Sequence, residues 1–157
     1  MPRRSYKRRK VRNNVVYDSF EVAKLINYLM IEGKKSVAEG IVYSVFEKIK
    51  KEGNDPLKVL SQALNNVSPI HEVKPRRLGG ASYLVPIEVR RERKIFLALN
   101  WIVEGARAKS NKEFKTFAEK LYTEIIEASK NLGSAVAKKL QVEKLAEANK
   151  AFSHLKW

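Results

Sequence analysis

The sequence predicts a mainly α-helical fold, a six-helix bundle with one protruding two-stranded β-ribbon arm and a disordered basic N-terminal tail. Apolar residues recur at helical spacing in six segments, and this spacing is lost around a Gly-Gly pair. The first twelve residues carry seven basic side chains and no acid, so they repel one another and bury little. We expect one domain over residues 1–157, comprising a basic extension (1–17), helices one to three (18–69), the ribbon (70–90), helices four to six (91–150) and a C-terminal tail (151–157).

Helix-capping patterns predict where the first three helices begin. Asp18 with Glu21, and Ser36 with Glu39, have the spacing of a capping box. Asp55 precedes a proline that would occupy the first helical position of the third helix. A glycine or a proline follows each of the three apolar stripes, so each predicted helix has its own stop signal.

Residues 70–90 predict a two-stranded hairpin rather than a helix. Its tip is expected at Leu78–Ala81, where two glycines can adopt the positive φ of a tight turn. Pro75 and Pro86 cannot donate to a strand ladder, which suits strands that lie at an edge. Because a two-stranded ribbon is marginal alone, we expect the body or a ligand to hold it.

Helical spacing returns in the second half of the chain. Trp101 falls next to the apolar stripe of the fourth helix, so we expect it in the core. The fifth helix is expected to include Phe114, and the break at Asn131–Ser134 separates it from a weaker sixth helix. Residues 151–157 are short and amphipathic, and we expect them to be loosely held.

The composition argues against an enzyme and against a membrane protein. There is no cysteine, and the two histidines, His71 and His154, are too few for a zinc site. Gly33–Ser36 lacks the residues that a phosphate-binding loop requires, and no nucleophile or dinucleotide motif is present. No apolar run approaches the ~20 residues of a membrane span. We therefore expect no catalysis, no cofactor, no metal and no small-molecule substrate.

Basic charge is the dominant feature, with a formal net charge of +15. Nucleic acid fits such a field, because neutralised phosphates release condensed counterions. For a single cluster a solvated face is the simpler interpretation, but arginines on an exposed arm favour a docked phosphate or base. The predicted binding residues are Arg3, Arg4, Lys7, Arg8, Arg9, Lys10 and Arg12 in the tail, Lys34, Lys35 and Ser36 after the first helix, Lys74, Arg76 and Arg77 on the ribbon, Arg90, Arg91, Arg93 and Lys94 beyond it, and Arg107, Lys109 and Lys112 before the fifth helix.

Several motifs occur in an order that is typical of one family. They are Gly33-Lys34-Lys35-Ser36-Val37-Ala38, Pro75-Arg76-Arg77-Leu78-Gly79-Gly80-Ala81-Ser82-Tyr83, Val85-Pro86-Ile87-Glu88-Val89-Arg90, Leu97-Ala98-Leu99-Asn100-Trp101 and Ala146-Glu147-Ala148-Asn149-Lys150-Ala151-Phe152. Through these motifs, which cover nearly the whole chain, the sequence resembles the bacterial small-subunit ribosomal protein seven family.

The resemblance implies a primary binder of the 3′ major domain of small-subunit ribosomal RNA that nucleates assembly of the subunit head. It also implies a place near the exit-site tRNA and the messenger, with the ninth and eleventh small-subunit proteins as neighbours. A cytoplasmic ribosome is expected; a basic, acid-poor N-terminus also fits a transit peptide, so an organellar ribosome stays open. The residues that the resemblance places near tRNA and messenger are Gly79, Gly80, Ala81, Ser82, Tyr83, Asn149 and Lys150.

An architectural DNA-binding protein is the alternative hypothesis. Such proteins also bind through basic β-arms, and their arms often carry apolar or proline tips. They commonly build these arms on dimers, so the oligomeric state and the preference for duplex DNA distinguish the two hypotheses.

Overall fold

The computed structural model describes residues 11–155 and confirms a helical bundle with one two-stranded ribbon. The strands β1 and β2 form an antiparallel pair between the third and fourth helices. The elements in chain order are α1 (Phe20–Leu29), α2 (Lys35–Lys51), α3 (Pro56–Val67), β1 (His71–Leu78), β2 (Ala81–Glu88), α4 (Arg91–Ala108), α5 (Phe117–Ser129), α6 (Ser134–Ala148) and a C-terminal 3₁₀ helix (Lys150–Leu155).

The two capping boxes predicted for α1 and α2 are wrong. Ser19, not Asp18, caps α1, and its hydroxyl accepts a hydrogen bond from the backbone N–H of Val22. Asp18 adopts a positive φ of 41° in the turn before the helix. Helix α2 begins with Lys34 at the N-cap and has no side-chain cap, so Ser36 lies inside its first turn.

The predicted cap of α3 is confirmed, whereas the start of α5 was predicted too early. Asp55 caps α3 as predicted, accepting a hydrogen bond from the backbone N–H of Leu57 at 3.0 Å. Helix α5 begins later than predicted, because Thr116 and Glu119 form a reciprocal capping box. Phe114 consequently lies in the preceding loop rather than in the helix.

Helix α5 is the centre of the bundle and packs against α2, α3 and α4. Leu121 and Ile125 on α5 are fully buried, as is Phe46 on α2. Trp101 is only 8% exposed, which confirms that it belongs to the core. Burial of these large side chains supplies the main stabilisation of the bundle, at roughly 25 cal/mol for each Å² of apolar surface removed from water.

The ribbon is anchored at its base and exposed at its tip. Val85 and Pro86 are buried near the body, whereas Leu78 to Ala81 are exposed. Leu78 pairs with Ala81, so the turn consists of Gly79 and Gly80, whose φ values are +53° and +90°. Two successive positive φ angles fit the tight hairpin turn that matches strand twist, which explains the glycine pair.

The C-terminal 3₁₀ helix is not loose but packs against β2. The rings of Tyr83 and Phe152 lie 5.3 Å apart between centroids. Helix α6 also contacts both strands, and Glu143 accepts a hydrogen bond from the backbone N–H of Ile70 at 3.0 Å. The body therefore braces the ribbon from α6 and from the 3₁₀ helix.

A buried carboxylate joins the last three long helices. Glu124 on α5 is 0% exposed, and its Oε1 accepts hydrogen bonds from the Ser134 hydroxyl at 2.8 Å and the Ala135 backbone N–H at 2.9 Å. Its Oε2 lies 3.1 Å from Nζ of Lys109. Glu124 thus caps the N-terminus of α6 from a neighbouring helix. Gly105 on α4 lies against this cluster, with no room for a side chain.

We predict that Gly105→Ala destabilises the fold by about 1–3 kcal/mol, a typical cost of overpacking. A Cβ at this position would lie 2.3 Å from the Ser134 hydroxyl oxygen and 2.7 Å from Oε1 of Glu124. Gly40→Ala on α2 is the control, because a Cβ there meets no atom within 4 Å. It should stabilise by roughly 0.5–1 kcal/mol. Urea denaturation measures both, and equal effects would contradict the prediction.

Tyr122 provides a test of the packing between α5 and the end of α2. Burial raises the pKa of Tyr122 to about 12, and a hydrogen bond donated to Glu52 adds to the shift. The interaction therefore stabilises fully below pH 10.0, the ordinary value, and is lost as the pH rises towards about 12.

A spectrophotometric titration should accordingly show a tyrosine that ionises near pH 12 and that is missing in Tyr122→Phe. The stability difference between the two proteins should also shrink over the same pH range. If the tyrosine that is missing in the variant ionises near pH 10.0 instead, the hydrogen bond does not hold the phenol.

Candidate nucleic-acid interface

The helix N-termini separate into two kinds among the described residues. Acceptor side chains cap α1, α3 and α5, and Glu124 supplies one to α6. Helices α2 and α4 begin with cations instead, at Lys34 and Arg90, and neither has a side-chain cap. A cation at this end opposes the helix dipole, so the arrangement costs stability. The same end, with free backbone amides and added positive charge, suits an anion such as a phosphate.

The first turn of α4 and the ribbon form one basic region. Arg91, Arg93 and Lys94 lie in the first turn of α4, where Glu92 is the one acid. Glu72 on β1 is buried, and its Oε2 lies 3.3 Å from Nε of Arg93. These contacts place the predicted ribbon and α4 clusters side by side.

Lys74 lies on the same side of the ribbon, 3.9 Å from Oε1 of Glu72. Arg77 is exposed beside the tip, and Arg76, paired in register with Tyr83, is half-buried and has an interaction partner. The predicted cluster therefore contains residues of different exposure.

Helix α1 extends this region with a cation that sequence reasoning missed. Lys24 lies 5.5 Å from the ring centroid of Phe20 and 5.9 Å from that of Tyr28. Tyr28 packs edge-on against Phe96 of α4, and the guanidinium of Arg93 lies 4.8 Å above the Phe96 ring. Burial raises the pKa of Tyr28. Lys24 was not predicted because it stands alone in the sequence. It is connected to Arg93 through the rings of Tyr28 and Phe96.

The end of the basic extension and the turn before α2 lie together. Arg12, Lys35 and Asn27 line one depression of about 470 Å³ on the surface of α1 and α2. Lys35 also lies 3.7 Å from Glu39, and Lys34 lies 2.9 Å from Glu32. Both lysine side chains are more than half exposed. Arg12, the last cation of the predicted tail cluster, and Lys35 of the next cluster are thereby adjacent in space, although a whole helix separates them in sequence.

The loop between α4 and α5 differs from the prediction in one residue. Arg107 and Lys112 are exposed, but the Lys109 side chain is 18% exposed and lies 2.7 Å from Glu127 and 3.1 Å from Glu124. Burial by itself lowers the pKa of Lys109, but hydrogen bonds and charge from both carboxylates raise it above its ordinary value. Lys109 therefore has a structural role, whereas the other two present free charge on the surface.

The residues expected near tRNA and messenger form one composite surface. The exposed tip of the ribbon and the start of the C-terminal 3₁₀ helix come together where Tyr83 meets Phe152. Asn149 donates to the Leu145 carbonyl at 2.8 Å, and Lys150 is exposed. Tyr83 thus packs against the C-terminal 3₁₀ helix. The predicted tail residues Arg3, Arg4, Lys7, Arg8, Arg9 and Lys10 lie outside the described residues.

Across residues 11–155, we find no group of three or more histidine, aspartate or glutamate side chains arranged to hold a metal ion. In the same part of the chain, every helix is too short or too polar to cross a bilayer.

Comparison with known proteins identifies the family. The family described as "Ribosomal protein S7p/S5e" matches residues 1–150. The chain belongs to this family. It is 52% identical over 159 residues to the small ribosomal subunit protein uS7 of Thermoanaerobacter sp. (strain X514), with 100% of each chain covered. The uS7 proteins of Acetivibrio thermocellus and Moorella thermoacetica are 52% and 51% identical over the same length and coverage.

Membership of the S7p/S5e family confirms the resemblance that the motifs indicated. The relatives are named as ribosomal proteins, in agreement with the expectation that the chain is not an enzyme. The ribbon and the uncapped α2 and α4 N-termini are therefore features of a ribosomal protein, and their cations are candidate contacts with its RNA.

We predict that Glu72→Gln loosens the ribbon at its base. The variant keeps the shape of the side chain but loses the charge that attracts Arg93 and Lys74. Because Arg93 is 47% exposed, the expected coupling is only roughly 0.5–1 kcal/mol. Hydrogen exchange at the ribbon amides should become faster. Glu88→Gln, an exposed glutamate of β2, is the matched control, and equal acceleration in both would contradict the role of Glu72.

Proposed function

We propose that this protein is a structural component of the small ribosomal subunit and a primary binder of the 3′ major domain of its RNA. Clamping that RNA would nucleate assembly of the subunit head, inside the ribosome of the cytoplasm. The observation that carries the proposal is the pair of basic, uncapped helix N-termini at α2 and α4. Such ends are unfavourable for the free protein and favourable when phosphates bind.

The mechanism that we propose is binding without catalysis. The buried bundle is a rigid platform, and the basic residues of α1, α4 and the ribbon base lie on one connected surface. Folded RNA is recognised mostly by its shape and by its backbone. Holding a multi-helix junction would reduce its freedom, so later proteins would meet a preorganised RNA.

The finer placement is also a proposal. The ribbon tip with Asn149 and Lys150 would face the exit-site tRNA and the messenger, and the ninth and eleventh small-subunit proteins would be neighbours. The composite surface at Tyr83 and Phe152 supports this placement, because it joins the two predicted segments. Glycines at the tip would permit close approach of another backbone.

Competition binding at about 0.2 M salt tests the proposal, since non-specific phosphate contacts weaken steeply with salt. Labelled 3′-domain RNA is challenged with excess duplex DNA and with unrelated structured RNA. Survival against both supports shape-specific recognition. Displacement by duplex DNA, together with a dimer in light scattering, would favour the architectural DNA-binding alternative.

We predict that reversing charge at Arg76 and Arg77 weakens binding to the 3′-domain RNA. Each lost phosphate contact should reduce the slope of log affinity against log salt by about one. Reversal of Lys51 and Lys58, two exposed lysines outside the predicted clusters, is the control. Unchanged affinity in the ribbon variant, or an equal loss in the control, would remove the ribbon from the interface.

A further inference from the structure

We propose that Asn14 is a positioning residue that holds Arg12, the last cation of the basic tail, beside α2. This inference rests on the proposed function, because it concerns how the tail reaches RNA phosphates. The seven tail cations precede Asn14 in sequence, and the folded bundle follows it. Asn14 therefore lies where the chain passes from the tail cations to the folded bundle.

Asn14 is held by both ends of its amide. It is only 7% exposed, and its Nδ2 donates a hydrogen bond to the Tyr43 hydroxyl of α2 at 2.9 Å. Its Oδ1 accepts from the backbone N–H groups of Val16 and Tyr17, each at 3.0 Å. Its own backbone N–H donates to the Ser19 carbonyl at 3.2 Å. The amide thus closes a tight turn and ties that turn to another helix.

Burial of the turn itself does not explain this conformation. Val15 is 97% exposed and Val16 is 64% exposed, so these two apolar side chains contribute little packing. Tyr17 is the second attachment point, with its ring edge-on to the buried ring of Phe46 at 4.9 Å. The hydrogen bonds of Asn14, together with those that the Asn13 amide donates to Asp18, hold the chain where it enters this turn. A side chain that is both donor and acceptor is needed for this, which an amide provides.

The consequence is electrostatic. The anchored turn directs Arg12 into the depression that Lys35 also lines. Lys35 belongs to the first turn of α2, where no side chain caps the helix. Arg12 and Lys35 therefore face the same volume, where one RNA phosphate group could meet both cations. Glu39 lines the depression too. Its negative charge would repel a phosphate, so binding there depends on the positions of both cations.

A double-mutant cycle tests the proposal with full-length protein and 3′-domain RNA. Asn14→Ala should weaken binding by roughly fivefold to tenfold at moderate salt and reduce the salt slope by about one. Tyr43→Phe, which removes one of the hydrogen bonds, should give a smaller change in the same direction. Asn65→Ala, the same substitution at an exposed asparagine of α3, is the control and should change neither quantity.

The second arm of the cycle places Asn14→Ala in a full-length variant whose seven tail cations are glutamine. There the substitution should change affinity by less than about twofold, because no charge remains to be positioned. An equal loss in both backgrounds with an unchanged salt slope would overturn the proposal, since Asn14 would then act only on folding. No loss in the native background would also overturn it.

Failure of the proposed function would give a different result. If the native protein does not prefer 3′-domain RNA over unrelated structured RNA, the proposed function fails. The cycle can then still be measured on either RNA, because the tail cations attract any phosphate backbone.

Discussion

A carboxylate that is fully buried must be paired with polar or charged groups inside the protein, and Glu124 is such a carboxylate. An unpaired buried charge is strongly destabilising, so the positions of Lys109, Ser134 and the start of α6 are all constrained by this side chain. Helix α4 must approach closely enough that only glycine fits at position 105. The relative placement of the last three long helices is thus constrained by one charge in addition to the apolar core.

Among the described residues, most acids have partners within the fold, whereas many of the cations are exposed. Glu72 holds the base of the ribbon, Glu119 caps α5, and Glu124 with Glu127 holds the loop before α5. Many of the cations stay exposed, including those at the N-termini of α2 and α4 where the helix dipole opposes them. The free protein is therefore strained electrostatically on the surface by which it would bind an anion, and a polyanion would relieve that strain.

Periodicity predicted the six helices and the ribbon because it reports which side chains a fold buries, and burial dominates the energetics. Helix starts were less predictable where several possible caps stand together. Asp18 and Ser19 are both residue types favoured at an N-cap, and the backbone selects Ser19 because Asp18 is in a left-handed conformation. At α5 the true cap, Thr116, was hidden by the apolar Phe114 before it.

The candidate interface, like the fold, could be predicted from the sequence only in part. Clusters that are continuous in sequence can be predicted as candidate contacts, since charge density needs no fold to be visible. Residues whose partners are distant in sequence cannot be placed in this way. Lys24 joins the basic region only through the Tyr28 and Phe96 rings, and Lys109 turns inward because its two carboxylates come from a later helix. No local pattern contains that information.

The contact between Tyr83 and Phe152 also sets an order of events during synthesis. A chain is made from its N-terminus, so both strands are complete long before the 3₁₀ helix at Lys150–Leu155 exists. An isolated two-stranded ribbon is marginal in water. The arm of a nascent chain therefore lacks this brace until the 3₁₀ helix has been made. Folding of the preceding helices alone does not supply the contact between Tyr83 and Phe152.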